Sequence, residues 1–288
     1  MRYNGNITGT EHGKIPDVPV PCKKTKTNME EKTMKKILSL TLAVLMIIGC
    51  LAAFASCKKT EKTLYVYTNA GFAPFEYVDE QGKVVGVDID VMNAIGKELG
   101  YKVVVSDIDF DQILTEVQGN EFAVGAAGMS KKASRDEVAL ASKVYATSQQ
   151  YVIAPVGTFT EGATITVDQI LALEKKIGVQ KGTTGASLIQ GDEGENAEKT
   201  IEYTNAIVAS QDIGSTLSAV VIDELPAKQI ADSKETLACW KIDAEMESYV
   251  LYFNKSATAL VEEVNNVLDK LIADGTINQY IVNHSNGK

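Results

Sequence analysis

Histidine, arginine and cysteine are scarce in this 288-residue chain, and each shortage removes a class of chemistry. The two histidines, His12 and His284, stand far apart, and no GxSxG or HExxH motif occurs. Nucleophile triads and His/Cys metal clusters therefore lack parts. Of the four cysteines, Cys22, Cys50 and Cys57 lie near the N-terminus, and Cys239 stands alone in the body. No disulfide framework is expected from that distribution. Cys239, beside Trp240, reads as a small buried apolar residue. Positive charge is also short, with 28 Lys+Arg against 38 Asp+Glu and a net charge of −10. Such a balance argues against nucleic acid as a partner.

What is present begins with residues 37–55, ILSLTLAVLMIIGCLAAFA, an uncharged run of 19 residues with Lys35 and Lys36 before it. A basic start, an apolar middle and small residues ahead of a cysteine make an export signal. Placed at the cleavage point, the cysteine resembles that of a bacterial lipoprotein. Cys57 is the expected lipidated residue, because cleavage at Cys50 would leave LAAFAS on the mature surface, whereas the polar KKTEKT after Cys57 suits a tether. Phe54 stands where leucine is more usual. The alternative is an uncleaved membrane-spanning helix, since about 20 apolar residues cross a bilayer. Either way the lysines keep the N-terminus inside and the body outside. Residues 1–33 carry three of the six prolines and no periodicity, and Met34 or Met29 reads as the natural start; a disordered extension is the alternative. Residues 1–56 carry a net charge of +4, so the mature chain from 57 to 288 would carry −14.

Along the body, short apolar runs alternate with helical patterns. Strands are predicted over 64–68, 102–108, 122–128, 151–157, 176–180, 218–223 and 249–255. Helices are predicted over 87–100, 110–119, 166–173, 183–190, 207–217, 224–231 and 258–275. This alternation indicates α/β architecture with mainly parallel sheets. There are two sets of about 100 residues with no linker between them.

The stretch Thr68–Gly100, TNAGFAPFEYVDEQGKVVGVDIDVMNAIGKELG, places aromatics and a proline after a strand, then a Gly-rich turn and an amphipathic helix. It resembles the opening of the family 3 extracellular solute-binding proteins, the amino-acid-binding proteins of bacterial ABC importers. With three further segments in matching order, the resemblance runs from about residue 63 to about 283. It implies a two-lobed, type II periplasmic-binding-protein-like fold with a two-strand hinge. The implied layout is a doubtful extension over 1–33, a lipoprotein signal over 34–56 and a tether over 57–62. Residues 63–152 with 250–288 form the first lobe, and 153–249 the second.

A buried amino acid needs a paired cation and a paired anion, because an unpaired buried charge is costly. Beyond Cys57 every basic residue is lysine except Arg135, in AAGMSKKASRDE. Arginine matches a carboxylate through a planar fork. The resemblance implies that Gly128, Ser130 (threonine is commoner there) and Arg135 form the carboxylate clamp; a surface pair with Asp136 is the alternative. In VQKGTTGASL a strand, a Gly-rich turn and a helix start follow each other, and such a start offers free N–H groups to an anion. No Lys-Ser/Thr follows the glycines, so this is no nucleotide P-loop. The resemblance implicates Thr183 and Thr184 in carboxylate binding and Gln180 in facing the side chain; an ordinary helix cap remains the alternative. Asp223 ends the apolar strand of AVVIDELPA, where open α/β sheets place binding groups. The resemblance makes it the ammonium partner; a helix cap is again the alternative, and Ser218 departs from the commoner aspartate. Phe72 and Phe110 match a pair that sandwiches the ligand, and Phe75 and Tyr77 read as packing residues. By the same resemblance Asn69 matches a position that often carries an acid when the ligand is cationic, so a neutral Asn there tilts the expectation towards a polar uncharged amino acid.

The expected function is capture of a free amino acid by lobe closure and delivery to an ABC permease and its ATPase. The protein would be a lipid-anchored monomer on the outer face of the cell membrane, without cofactor or metal. Two other readings stay open. One is a dehydratase-like enzyme of the same fold, with Glu76 or Asp109 as its acid. The other is a ligand-sensing module without a permease.

Overall fold

A computed structural model of the chain describes residues 34–36, 40, 62–191 and 193–286. Cys50, Cys57 and nearly all of the run 37–55 lie outside the described residues. Among the described residues no helix is long and apolar enough to cross a membrane. The chain divides after Thr60, and Glu61–Lys288 forms the folded body.

The first sheet is built on the strand Lys62–Thr68, whose alternation buries Leu64, Val66 and Thr68 on one face. It pairs in parallel with Tyr101–Asp107 on one side and Ala123–Gly125 on the other. The crossover is the helix Val87–Leu99, which buries Val87, Val91, Met92 and Ile95, the spacing of a single helical face. It stops where Gly100 turns left-handed, at φ 74°, and the Gly100 N–H bonds back to the Gly96 carbonyl. Tyr252–Phe253 then adds antiparallel to Ala123–Gly125, with Leu140–Ala141 at the far edge.

The second sheet has six strands, in the order Thr200–Tyr203, Lys176–Gln180, Leu217–Asp223, Gln150–Pro155, Leu237–Ile242, Thr164–Ile165. Its first three strands run parallel, and Gln150–Pro155 lies antiparallel to both of its neighbours. Short helices Thr184–Gln190, Ala206–Gln211 and Glu224–Asp232 complete this lobe.

Between the sheets the chain crosses twice, and the crossings pair with each other. Ala146–Ser148 runs antiparallel to Glu247–Tyr249 as a separate two-stranded ribbon. Two extended strands with few lateral bonds make a bendable joint. The pairing refines the expected elements. Gln150–Val152 hydrogen-bond within the second sheet, not the first. The predicted single strand 249–255 is two short ones, because Tyr249 pairs with the other crossing and Tyr252 with the first sheet. The predicted helix 207–217 ends at Gln211, and Leu217 already belongs to a strand. At the C-terminus, Thr258–Ala273 is followed by a second helix, Thr276–Ser285. His284 ties that helix to the first lobe, its Nε2 2.9 Å from Asp90 Oδ2 and its Nδ1 3.0 Å from the Tyr77 hydroxyl.

Candidate functional site

The cleft between the two sheets holds a small cavity, and all ten residues singled out in the sequence line it. Most arrive from the end of a strand or the turn that follows, and the others from short helices.

From the first lobe, the short helix Ala133–Asp136 brings in Arg135, which is only 6 % exposed. Its Nη1 donates to the Ser130 carbonyl at 2.7 Å, and its Nη2 crosses the cleft to the Gly182 carbonyl at 3.0 Å. The guanidinium also lies over the Phe110 ring, 5.3 Å from its centre. Burial lowers the Arg135 pKa, and Tyr252, Glu247 and Asp223 oppose that shift. The surface alternative does not hold, since Asp136 accepts instead from the Tyr252 hydroxyl. With only carbonyls as partners, the guanidinium keeps N–H donors and a full charge for an anion.

Gly128 forms the adjoining wall at φ 53°, a left-handed turn in which a Cβ would come within 2.5 Å of the Phe72 ring. Its N–H donates to Asp88 Oδ2 at 2.8 Å. Phe72 serves two purposes, for its ring lines the cavity and belongs to the hydrophobic core. Ser130 is buried beside Tyr249. At the other end Asn69 donates to the Ile108 carbonyl at 2.7 Å and accepts from Gln180 Nε2 across the cleft at 2.9 Å. Gln180 also donates to the Thr204 carbonyl at 3.0 Å.

From the second lobe come Thr183, Thr184 and Asp223. The helix cap applies to Thr183, whose hydroxyl accepts from the Ala186 N–H at 3.0 Å and donates to the Gln180 carbonyl at 2.8 Å. It does not apply to Asp223, whose side chain makes no capping bond. Asp223 Oδ1 accepts from the Tyr249 hydroxyl at 2.7 Å, and Oδ2 from Gln150 Nε2 at 3.1 Å. Burial pushes its pKa up to about 7, and Glu247 adds to the rise; hydrogen bonds from Tyr249, Gln150 and Ser148 oppose it.

Glu76 is the one ionisable cavity residue to which the sequence gave no binding role. It is 1 % exposed, and its Oε2 has no hydrogen-bond partner. Burial raises its pKa well above the ordinary carboxylate range, with repulsion from Asp88, Asp223 and Asp107 added. In the sequence it sits between Phe75 and Tyr77, which pack, so nothing local marked it as buried. Asp109, the other candidate acid, lies outside this cavity, in a shallower recess shared with Asp111 and Lys181. Among the described residues no group of three His, Cys, Asp or Glu side chains is placed to hold a metal ion.

The walls are joined by polar contacts besides those of Arg135 and Gln180. Lys132 Nζ donates to the Ser187 hydroxyl at 2.8 Å, and Lys181 meets Asp111 at 2.8 Å. Polar links between lobes exchange with water at small net cost, so the geometry is that of a closed but reopenable cleft.

Comparison with known proteins agrees with this geometry. The putative ABC transporter arginine-binding protein 2 of Escherichia coli K12 is 25% identical over 249 residues, covering 84% of this chain and 96% of that protein. The amino acid ABC transporter substrate-binding protein AbpA of Streptococcus pneumoniae, solved with L-arginine, is 26% identical with a TM-score of 0.70, covering 78% of this chain and 94% of its own. An ancestral arginine-binding protein solved with glutamine is 28% identical with a TM-score of 0.69, covering 80% and 100%. The family model for bacterial extracellular solute-binding proteins, family 3, matches residues 64–285. With the family model spanning the folded body and both lobes built as type II periplasmic binding proteins are, the chain belongs to the family 3 bacterial extracellular solute-binding proteins.

Proposed function

We propose that this protein captures a free amino acid in its cleft by lobe closure and hands it to an ABC permease and its ATPase. One observation carries the reading: Arg135 and Asp223, both buried, face one cavity from opposite lobes. A zwitterion is the small molecule that satisfies both. Arg135 takes the carboxylate, with the Ser130 hydroxyl and Thr183 and Thr184 beside it, and Asp223 takes the ammonium. Gly128 leaves the expected carboxylate clamp for the ammonium side, because its N–H is already given to Asp88 and its carbonyl is left to accept. Phe72 and Phe110 cover the side chain. The Asn69–Gln180 amide pair, neutral and able to donate and accept, supports a polar uncharged side chain. The ancestral relative solved with glutamine is consistent with that choice.

A second reading, a cationic side chain, is favoured by Glu76. An ionised carboxylate there would give the cavity one more negative charge than a zwitterion balances, and the other two relatives are named or solved for arginine. Delivery to a permease is supported by the relatives' names as ABC transporter proteins. Anchoring through lipidated Cys57 on the outer face of the membrane, and a monomeric state, rest on the sequence. A sensing module without a permease differs only in its partner, and a genetic neighbourhood with permease and ATPase genes separates the two. A dehydratase-like activity would use Glu76, and turnover of a prephenate-like acid would reveal it.

A thermal-shift screen of residues 58–288 against the twenty amino acids, with keto and aromatic acids as controls, tests the reading. A ligand at 100 times its Kd stabilises by about 2.7 kcal/mol. Shifts with glutamine-like amino acids are expected. Shifts with arginine and lysine alone would select the second reading, and shifts with organic acids alone would overturn both.

A further inference from the structure

We propose that Tyr145 and Tyr249, one on each hinge crossing, are positioning residues that fix the ligand-binding groups of both lobes from one buried seam. This rests on reading the cleft as an amino-acid site. Tyr145 stands just before the hinge strand Ala146–Ser148, and Tyr249 pairs with Ala146 in the other crossing. Their rings lie together, with centroids 6.4 Å apart. From this point two hydrogen-bonded arms run outward. The Tyr145 hydroxyl donates to Asp88 Oδ1 at 2.6 Å, and Asp88 Oδ2 accepts the Gly128 N–H, so this arm ends in the cavity wall of the first lobe. The Tyr249 hydroxyl donates to Asp223 Oδ1 at 2.7 Å, so the other arm ends in the wall of the second lobe.

Packing alone does not explain these hydroxyls. Phenylalanine would fill the same space, and Phe75 and Phe72 already pack on Tyr249 at 5.0 and 6.4 Å. A buried hydroxyl is costly unless it is bonded. Each of these spends its proton on a carboxylate that shapes or lines the site. Because Tyr249 sits on one hinge strand and Tyr145 directly before the other, hinge closure and placement of Asp223 and Gly128 become a single movement. The seam matters electrostatically as well. Asp223 faces Glu247 from the hinge strand, Glu76 from the turn after the first strand and Arg135 from the short helix; Gln150 and Ser148 also contact it. Within that group the Tyr249 hydroxyl favours the ionised Asp223.

Tyr249→Phe in the full chain is the test, because it removes one donor and keeps the ring. The expected result is roughly tenfold weaker binding, at neutral pH, of the amino acid giving the largest thermal shift. The pH at which affinity reaches half its plateau should also move upward, which a purely structural role would not cause. Tyr151→Phe, whose hydroxyl meets Glu224 away from the cavity, should leave both readouts unchanged. If Tyr249→Phe yields no folded protein, Tyr145→Phe carries the same test through loss of affinity. Wild-type affinity and midpoint in folded Tyr249→Phe would overturn the proposal while leaving the amino-acid reading standing. Failure of the wild-type protein to bind any amino acid would overturn both.

Discussion

The two walls of the cleft hold their charges in different ways. Arg135 divides its donors between its own lobe, at the Ser130 carbonyl, and the opposite lobe, at the Gly182 carbonyl. Asp223 is held on both oxygens by Tyr249 and Gln150, residues of the hinge and of its own sheet. The cation therefore reaches across the gap, whereas the anion is locked behind it. A carbonyl is a weaker acceptor for guanidinium than a carboxylate, so on the proposed reading the ligand carboxylate would displace the Gly182 contact. Asp223 has no such exchange to make, and burial, with Glu247 beside it, keeps its pKa raised.

The comparison breaks most visibly at Arg135. Arg135→Ala should cost about 2–5 kcal/mol of binding, because a ligand carboxylate would be buried unpaired. Calorimetry reads this as a loss of more than about thirtyfold in affinity. Asp223→Asn keeps the shape and an acceptor for Tyr249 but removes the charge. A loss of about 1.5–3 kcal/mol is expected by the same measurement.

Proton linkage sharpens the contrast. Asp223 and Asp88 rise from 3.8 to about 7 and about 6 in the ligand-free protein. Their contribution to stability is fully present below the unfolded value, falls progressively as pH rises above it, and is lost once pH passes the folded values of about 6 and about 7. A bound ammonium favours ionised Asp223, so binding releases protons and affinity rises with pH up to about 7, then levels. The ligand-induced thermal shift should therefore be larger at pH 8 than at pH 5, and an equal shift would count against Asp223 as the ammonium partner. The smallest effect is expected at Lys181→Ala. Its pair with Asp111 spans the cleft but lies exposed, where such pairs contribute little, so affinity should stay close to wild type at physiological salt.

Much of this was legible from residue patterns. Arg135 stood out as the one arginine after Cys57, and the helix ending at Gly100 followed from its apolar spacing and a terminal glycine. Asp223 was marked by its place at the end of an apolar strand. The illegible features share a physical cause: each is settled by a partner far away in the chain. Tyr249 bonds to Asp223 across 26 residues, and Tyr145 to Asp88 across 57. The bend that divides residues 249–255 comes from competing pairings with two sheets, and no local preference records it. Leu237–Ile242 is an edge-side strand of the second sheet whose mixed run LACWKI lacked clear alternation. Glu76 was named in the sequence only as a candidate acid, and its near-complete burial appears only in the folded chain.

The most direct test of the central claim is a calorimetric pair: the amino acid giving the largest thermal shift, and its decarboxylated amine, each titrated into the wild-type protein. The account predicts measurable binding of the amino acid with proton release near pH 6, and at least a hundredfold weaker binding of the amine, about 2.8 kcal/mol. Equal affinity for the two would contradict it, since Arg135 would then have no carboxylate to hold.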